Sequence, residues 1–452
     1  MELNNKNILI LGLAISGIST AKALNKLGSK ITVTDMKSEE ELKEQLAELK
    51  DINIDYVLGN NNVDLRNIDL IIKSPGIPLD VQIIREAIEK GIEVVSDIEL
   101  AYRISKNKFI AITGTNGKTT TTALTGKMME GAGLQYHVTG NIGVGILWET
   151  VNADENDVFI IEASSFQLES TKYFKPSISV ITNITPDHLN WHKTFDNYVE
   201  AKKKVFNNQQ KGDYTVLNYD DLLLRHIGKD ISSNLIYFSA SNKLEKGVYV
   251  DDCQIIINDG QTTINVMDCR EIRIPGKHNI ENALAVVSIG WAMGIETEII
   301  ANTLREFEGV EHRIEFVDNI SDVNYYNDSK GTNPDSSIKA LEAIKEPIIL
   351  IAGGMDKGGS FDEFIDSFNN KVKALVLLGE TKEKIKDTAI SKGFNNIYIV
   401  DSIEEAVNKC FELAVPNDNV LLSPACASWD MFKSYEERGR IFKQAVKNLR
   451  ED

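Results

Sequence analysis

Short apolar runs, each followed by an amphipathic stretch, alternate along the chain, and this rhythm stops and restarts twice. A strand that is apolar at every position is buried on both faces, so the pattern dictates mostly parallel sheets covered by helices, an α/β architecture. In the first part "NILILGL" reads as a strand, Ser16 to Leu27 as a helix and "KITVTD" as the next strand, with "IDLIIKS" and "EVVSD" further on. The rhythm restarts at "KFIAITGT" and continues through "DVFIIEASS" and "ISVITNIT". Between about Tyr249 and Ile274 polar-alternating runs predict a small antiparallel patch. After "EFEGVEHRIEFV" come "VNYYND", "PIILIAGG", "ALVLLG", "NIYIV" and "NVLLSPA". Boundaries near residues 97 and 309 follow, giving domains 1–97, 98–309 and 310–452. The length of 452 residues agrees with that count at about 150 residues per domain.

Composition narrows the function. A net charge of −18 opposes a general nucleic-acid binder or docking on anionic lipid. Four scattered cysteines, with no C-x-x-C, fit neither a zinc site nor a disulfide framework and point to a reducing cytoplasm. The start of the chain imitates a secretory signal, with an apolar run and an A-x-A. Gly12 and Gly17 at turn spacing fit a strand entering a glycine turn better. No apolar run approaches the roughly 20 residues that span a membrane. A cytoplasmic monomer is expected, without a nucleic-acid partner or membrane insertion.

The chemistry begins at "AITGTNGKTTTT", Ala111 to Thr122. A strand, a glycine loop and a helix opening on Gly117-Lys118-Thr119 form a phosphate loop, although Ile112 stands where the usual pattern has its first glycine. Backbone N–H groups from Gly114 to Thr119 can cradle phosphate oxygens, with Lys118 as a point charge and the Thr119 hydroxyl for Mg²⁺. A threonine-rich helix cap is the blander alternative, but a cap does not need glycine, lysine and threonine in that order. Glu162, ending "DVFIIE", is a carboxylate placed to hold that metal. His188 and His192 have i, i+4 spacing without further zinc ligands, so His188 near a hard cation and His192 on the surface are expected. In "YVEAKKKVF" helical spacing turns Lys202 inward with Tyr198 and leaves Lys203 and Lys204 outward. An inward lysine beside a divalent cation is repulsive unless its charge is changed.

Near the N-terminus, Gly12-x-Ala14-x-x-Gly17 with Asp35 after the next strand imitates a dinucleotide fingerprint, with Ala14 replacing the middle glycine. A ligand-free tight turn competes with a phosphate at the helix N-terminus. "KSPGIP" ends a strand at the same carboxyl edge. In the last region Arg313, Asp328, Lys330, Thr332, Lys357 and Ser428 lie in loops, most of them after predicted strands, a set suited to an anionic, carboxylate-bearing substrate.

The motifs "TGTNGKTTT", "EASSFQL", "NITPDHL", "YVEAKKKVF", "GKHNIENALAV", "EHR" and "NDSKGTN" come in the order of the Mur ligases, which the chain resembles over nearly its whole length. Those enzymes use ATP to add amino acids to the peptidoglycan precursor, and a phosphate loop lacking the first glycine is usual among them. "NDSKGTN" with "LLSPACASWD" is most similar to the branch that adds D-glutamate to UDP-N-acetylmuramoyl-L-alanine through an acyl phosphate. The resemblance implies Rossmann-like first and third domains around a P-loop NTPase-like centre, with ATP and two Mg²⁺ sites. It implies a UDP-substrate site at Ile15, Ser16, Asp35, Ser74, Pro75, Gly76, Asn141, Ser164 and Gln167. ATP contacts would be Gly114, Thr115, Asn116, Gly117, Lys118, Thr119 and Thr120, with Asn279, Asn282, Arg313 and Asp328. Metal ligands would be Thr119, Glu162, His188 and Lys202 as a carbamate, which removes the repulsion noted above; catalysis would rest on Lys118, Lys202, His188 and Glu162. The D-glutamate pocket would be Lys330, Thr332, Lys357, Ser428, Trp429 and Tyr435, the last two often Leu and Phe in the family. Another Mur ligase, a folylpolyglutamate synthetase and a regulatory P-loop ATPase are the competing readings; a nicotinamide dehydrogenase would rest on Gly12–Gly17 alone.

Overall fold

A computed structural model describes residues 1–141, 143–274 and 276–450. The chain divides into two compact units, one of Met1–Cys269 with Glu281–Leu304, the other of Arg270–Ile280 with Arg305–Asp452. Among the described residues no helix is long and apolar enough to cross a membrane.

Three mostly parallel sheets carry the fold. The first holds β1 (Asn7–Leu11), β2 (Lys30–Asp35), β3 (Ile54–Leu58), β4 (Leu70–Lys73) and β5 (Glu93–Val95), in the order β3-β2-β1-β4-β5 and parallel throughout. The chain order reverses between β1 and β4, so the crevice above their carboxyl ends is the topological switch point.

The second sheet holds β6 (Lys108–Thr113), β7 (Tyr136–Gly140), β8 (Val158–Glu162), β9 (Ile178–Ile181), β10 (Tyr214–Asn218), β11 (Asn234–Ser239), β12 (Gly247–Asp251), β13 (Gln254–Asn258) and β14 (Thr263–Asp268). Its order is β14-β13-β12-β11-β10-β9-β6-β8-β7, and only β12–β13 and β13–β14 run antiparallel, which is the patch expected near Tyr249. β6 is central and buried on both faces, and it extends one residue beyond Ile112 because Thr113 pairs with Ile181. One apolar core runs from Ile8, Ile10 and Ile72 through Ile98 to Phe109, Phe159 and Phe174, so the first two sheets belong to one unit.

The third sheet holds β15 (Glu315–Ile320), β16 (Val323–Asn327), β17 (Ile348–Ala352), β18 (Val372–Leu377), β19 (Ile397–Ile399) and β20 (Asn419–Leu422), ordered β15-β16-β20-β17-β18-β19. β15 is an antiparallel edge; the others run parallel. At its carboxyl edge the buried Arg438 guanidinium donates to Ser329 O at 2.8 Å, Ser329 Oγ at 3.0 Å and Cys426 O at 3.3 Å. It therefore ties the loop after β16 to the loop after β20, although burial pulls it down to about 10. Arg438→Met leaves those buried acceptors without a donor and is expected to cost this unit about 3 kcal/mol, read as a lower denaturant midpoint. An unchanged midpoint would mean that the loops hold each other without it.

Candidate active site

The phosphate loop leaves the interior strand β6 of the second sheet, flanked by the ends of β8 and β9. Gly114 has φ +148°, and a Cβ there would lie 2.0 Å from Thr182 Oγ1, so only glycine lets this backbone pass. Gly117, with φ +85°, opens the helix Lys118–Gly131, and a Cβ there would meet Asn282 Oδ1 at 2.3 Å. Thr115 Oγ1 donates to Thr185 O at 3.0 Å, so Tyr198 OH, 3.0 Å away, is the donor to it; burial keeps that phenol protonated. Asn116 N–H donates to Asn183 Oδ1 at 2.9 Å. The loop is thus preformed by the segments after β9. Thr119 and Thr120 follow Lys118 in the first helical turn, the former half-buried and the latter buried.

Two lysines converge on this loop. Lys118 Nζ donates to Gly114 O at 2.9 Å and Thr115 O at 2.8 Å. Lys202 Nζ donates to the same Gly114 O at 2.7 Å and lies 4.7 Å from the Tyr198 ring centre, with the side chain fully buried. Two ammonium groups on one carbonyl in a dry site repel. Burial first, and Lys118 second, pull Lys202 well below the ordinary lysine range, against Asp187 and Glu162. Its neighbours Lys203 and Lys204, expected outward, are both half-buried: Lys203 pairs with the exposed Glu200 at 2.6 Å, and Lys204 donates to Glu169 O because the helix Phe195–Lys203 packs that side against the loop after β8.

Glu162 ends β8 beside Ile112 of β6 and is buried. Its Oε1 accepts from Asn141 Nδ2 at 2.9 Å, but its Oε2 is buried without a hydrogen bond. An orphaned carboxylate oxygen next to a phosphate loop is the ligand a hard cation lacks, so the residues present fit a Mg²⁺. His188 has φ +52° and its ring meets Phe166 edge-on at 4.8 Å between centres, with Nε2 3.6 Å from Asp187 Oδ2. His192 is a correction: it is buried rather than on the surface, with Nε2 2.9 Å from Ser165 Oγ and its ring stacked on Phe166. The helical turn Leu189–His192 rolls it inward.

The residues expected at the UDP substrate gather around the switch point of the first sheet. Ser74 Oγ donates to Gly12 O at 3.2 Å, joining the loops after β4 and β1. Asp35 holds the turn itself, accepting from Leu13 N–H at 2.8 Å and Lys37 N–H at 2.9 Å. Ile15 is exposed, and no atom lies within 4 Å of a Cβ built on Gly76, which follows Pro75. Ser16 Oγ donates to Asp97 Oδ2 at 2.7 Å. Asp97 also accepts from Gln167 Nε2 at 3.2 Å, and Gln167 forms a capping box with Ser164. Asp97 therefore couples the first sheet to the loop after β8, a role sequence reading missed.

The remaining residues, apart from Asn282 beside Gly117, lie in the other unit. Asn279 is buried, its N–H on Gly276 O at 3.0 Å. Arg313 Nη1 sits 3.2 Å from Asp328 Oδ1, and Asp328 Oδ2 accepts from Ser423 Oγ at 2.8 Å. Burial pushes the Asp328 carboxyl up while Arg313 opposes it. Lys330 Nζ donates to Tyr435 OH at 3.1 Å, and Thr332 N–H to Lys330 O at 2.9 Å. Ser428 is buried; Lys357 and Trp429 are exposed.

The descriptions of three family models match: the Mur ligase MurD-like N-terminal domain over residues 6–96, the Mur ligase middle domain over 112–290 and the Mur ligase glutamate ligase domain over 312–426. A UDP-N-acetylmuramoylalanine–D-glutamate ligase of Thermoanaerobacter sp. (strain X514) is 51% identical, covering 100% of both chains. The chain belongs to the Mur ligase family. The relative of the same description from Clostridioides difficile (strain 630) is 48% identical, again over 100% of both. Among solved Mur ligase structures, UDP-N-acetylmuramate-alanine ligase MurC from Thermotoga maritima matches with a TM-score of 0.63 over 98% of this chain and 99% of that one, at 19% identity, a likeness of fold. Two residues that sequence reading left without a role, Asp187 and Tyr198, stand at this site, and both sit inside motifs quoted above.

Proposed function

We propose that this chain ligates D-glutamate to the carboxylate of UDP-N-acetylmuramoyl-L-alanine, consuming ATP and passing through an acyl phosphate. The observation that carries the reading is the end-to-end match, at about half identity, to relatives named UDP-N-acetylmuramoylalanine–D-glutamate ligase. The domain roles follow the expected boundaries, 1–97 for the UDP substrate, 98–309 for ATP and 310–452 for D-glutamate.

The loop residues Gly114 to Thr120 would cradle the ATP phosphates, and because Asn183 holds the Thr115 and Asn116 N–H groups the loop is already shaped, which lowers the cost of ordering it during reaction. Lys118 leaves its two loop carbonyls to bond the transferring phosphoryl group. Thr119, Glu162, His188 and Lys202 would hold Mg²⁺, which neutralises the charge on the phosphate oxygens. Burial and Lys118 favour the uncharged form of the Lys202 amine, the form that would add to carbon dioxide with loss of a proton, and the resulting carbamate would be attracted to Lys118 rather than repelled by it. Ser164 and Asn141 orient the muramoyl-alanine carboxylate for attack on the γ-phosphate. Lys330, Thr332, Lys357, Ser428, Trp429 and Tyr435 receive D-glutamate, whose amine attacks the acyl phosphate and expels phosphate. Asn279, Asn282, Arg313 and Asp328 complete the nucleotide site.

Phosphate release with UDP-N-acetylmuramoyl-L-alanine and ATP, measured with each candidate amino acid, tests this. D-glutamate is expected to stimulate release far above L-glutamate, lysine or diaminopimelate. Release that ignores the muramoyl substrate would favour a free-standing ATPase and end the ligase reading.

A further inference from the structure

Asp97 opens the helix Asp97–Ile104, just after the first sheet, and both oxygens of its buried carboxylate accept hydrogen bonds. Oδ1 accepts from the N–H of Ile98 at 2.9 Å, an ordinary service to its own helix end. Its other bonds reach far along the chain. Oδ2 accepts from Ser16 Oγ at 2.7 Å, 81 positions away, and Oδ1 also accepts from Gln167 Nε2 at 3.2 Å, 70 positions away. The buried Gln167 amide continues the line, since its Oε1 accepts from Ser164 N–H at 3.2 Å and from Ser164 Oγ at 3.1 Å. A helix cap needs only the Ile98 contact. The rest form one chain of hydrogen bonds, Ser16–Asp97–Gln167–Ser164.

The two ends of this chain stand at two different parts of the site. Ser16 lies in the first turn of the helix Ile15–Lys26, which leaves β1 at the switch point of the first sheet. Ser164 lies two residues beyond Glu162, the end of β8 beside the phosphate loop. A muramoyl nucleotide has to be held at both, with its nucleotide end on the first sheet and its carboxylate at the second. Hydrogen bonds to a carboxylate are short and directional, and a satisfied buried network is stiff. Asp97 therefore fixes the spacing of the two ends before substrate arrives. Reacting groups misplaced by about 1 Å lose about 100-fold in rate. This spacing matters to a substrate held at both ends and not to a fragment held at one. The two sheets do not depend on Asp97 to stay together. They share one apolar core, and Ser19 Oγ of the same helix donates to Gly145 O at 2.7 Å and accepts from Trp148 N–H at 3.0 Å.

We propose that Asp97 is a positioning residue, which sets the spacing between the seat of the nucleotide end at Ser16 and the seat of the reacting carboxylate at Ser164. This rests on the substrate named under Proposed function. Asp97 acts through Ser16 and Gln167, so its effect falls on the muramoyl nucleotide and spares ATP and D-glutamate.

The test uses the full-length protein, with UDP and UDP-N-acetylmuramoyl-L-alanine as probes in calorimetry, followed by steady-state phosphate release. The wild type is expected to bind the muramoyl nucleotide more tightly than UDP, because both ends are held. Asp97→Ala is expected to weaken the muramoyl nucleotide by about tenfold or more, the effect of a lost hydrogen bond to a charged group, while UDP stays within about threefold. KM for the muramoyl nucleotide rises and kcat falls, while KM for ATP and D-glutamate stays. Asp97→Asn restores most of the affinity, because its Oδ1 can accept from Ile98 and Gln167 and its amide can donate to Ser16 Oγ. Ser16→Ala, at a half-buried position, cuts the same chain at its other end and decides the matter should Asp97→Ala not fold. The double variant is expected to be no worse than Asp97→Ala alone, since one chain is cut. Unchanged muramoyl-nucleotide affinity and turnover in Asp97→Ala overturn the proposal, however far the melting temperature falls, because a mere helix cap gives that result. An equal loss for UDP and the muramoyl nucleotide overturns it too, as do losses that multiply in the double variant or a wild type that binds both probes equally. A wild type that holds the muramoyl nucleotide more tightly than UDP but adds no D-glutamate would refute the function above and leave this assignment standing.

Discussion

Replacing Lys118 with alanine is expected to cut amino-acid-dependent phosphate release by about 10³-fold or more, because a positioned charge on a transferring phosphoryl group is worth several kcal/mol. The fold should survive. Lys118 donates to two carbonyls of its own loop, and Gly114 O keeps the Lys202 donor when Lys118 is lost. Circular dichroism and a melting temperature within a few degrees of wild type would establish that. Lys118→Arg is expected to stay impaired, since a planar guanidinium does not fit a backbone cradle built around a point charge. Activity within tenfold of wild type for Lys118→Ala would remove the phosphate loop from the chemistry.

Lys202→Ala is the second large effect, with turnover expected to fall by about 10²- to 10³-fold. The fold cost is that of a cavity beneath Tyr198, about 1–3 kcal/mol. The diagnostic is rescue: a small carboxylic acid at high concentration can occupy the space of the lost carbamate, and it should restore part of the rate in Lys202→Ala while leaving Lys118→Ala unaffected. Wild-type activity should also fall when carbon dioxide is stripped from the buffer and return with bicarbonate. Full activity of Lys202→Ala without additive would contradict the carbamate.

These two residues show how unevenly the site was legible. Lys118 stands in a contiguous pattern, strand then loop then helix, and Ile112, read as the last residue of that buried strand, is followed by one more, Thr113. The central strands β6, β8 and β9 were visible because burial on both faces leaves an uninterrupted apolar run. β3 and β7 were not picked out, since edge strands are half-buried and their side chains carry a weaker signal, and the interior β10 and β11 were passed over although β10 is buried. Lys202 was assigned inward from helical spacing, but its dryness was not in the spacing. His192 was placed on the surface because a short helical turn after a left-handed residue has no periodicity to read.

By itself the sequence determined the α/β class, the three sheet-forming regions, the phosphate loop and the inward turn of Lys202, all set by residues within a few positions of one another or by a repeating apolar period. Only the tertiary structure decided which of those groups are buried and what surrounds them. Lys202 reaches Gly114 O across 88 positions of chain. Among the described residues Lys73 has no ion pair, and Glu162 keeps one buried oxygen unbonded. Solvation and Coulomb energy depend on what surrounds a group in three dimensions, and those surroundings are assembled from segments that no local pattern connects.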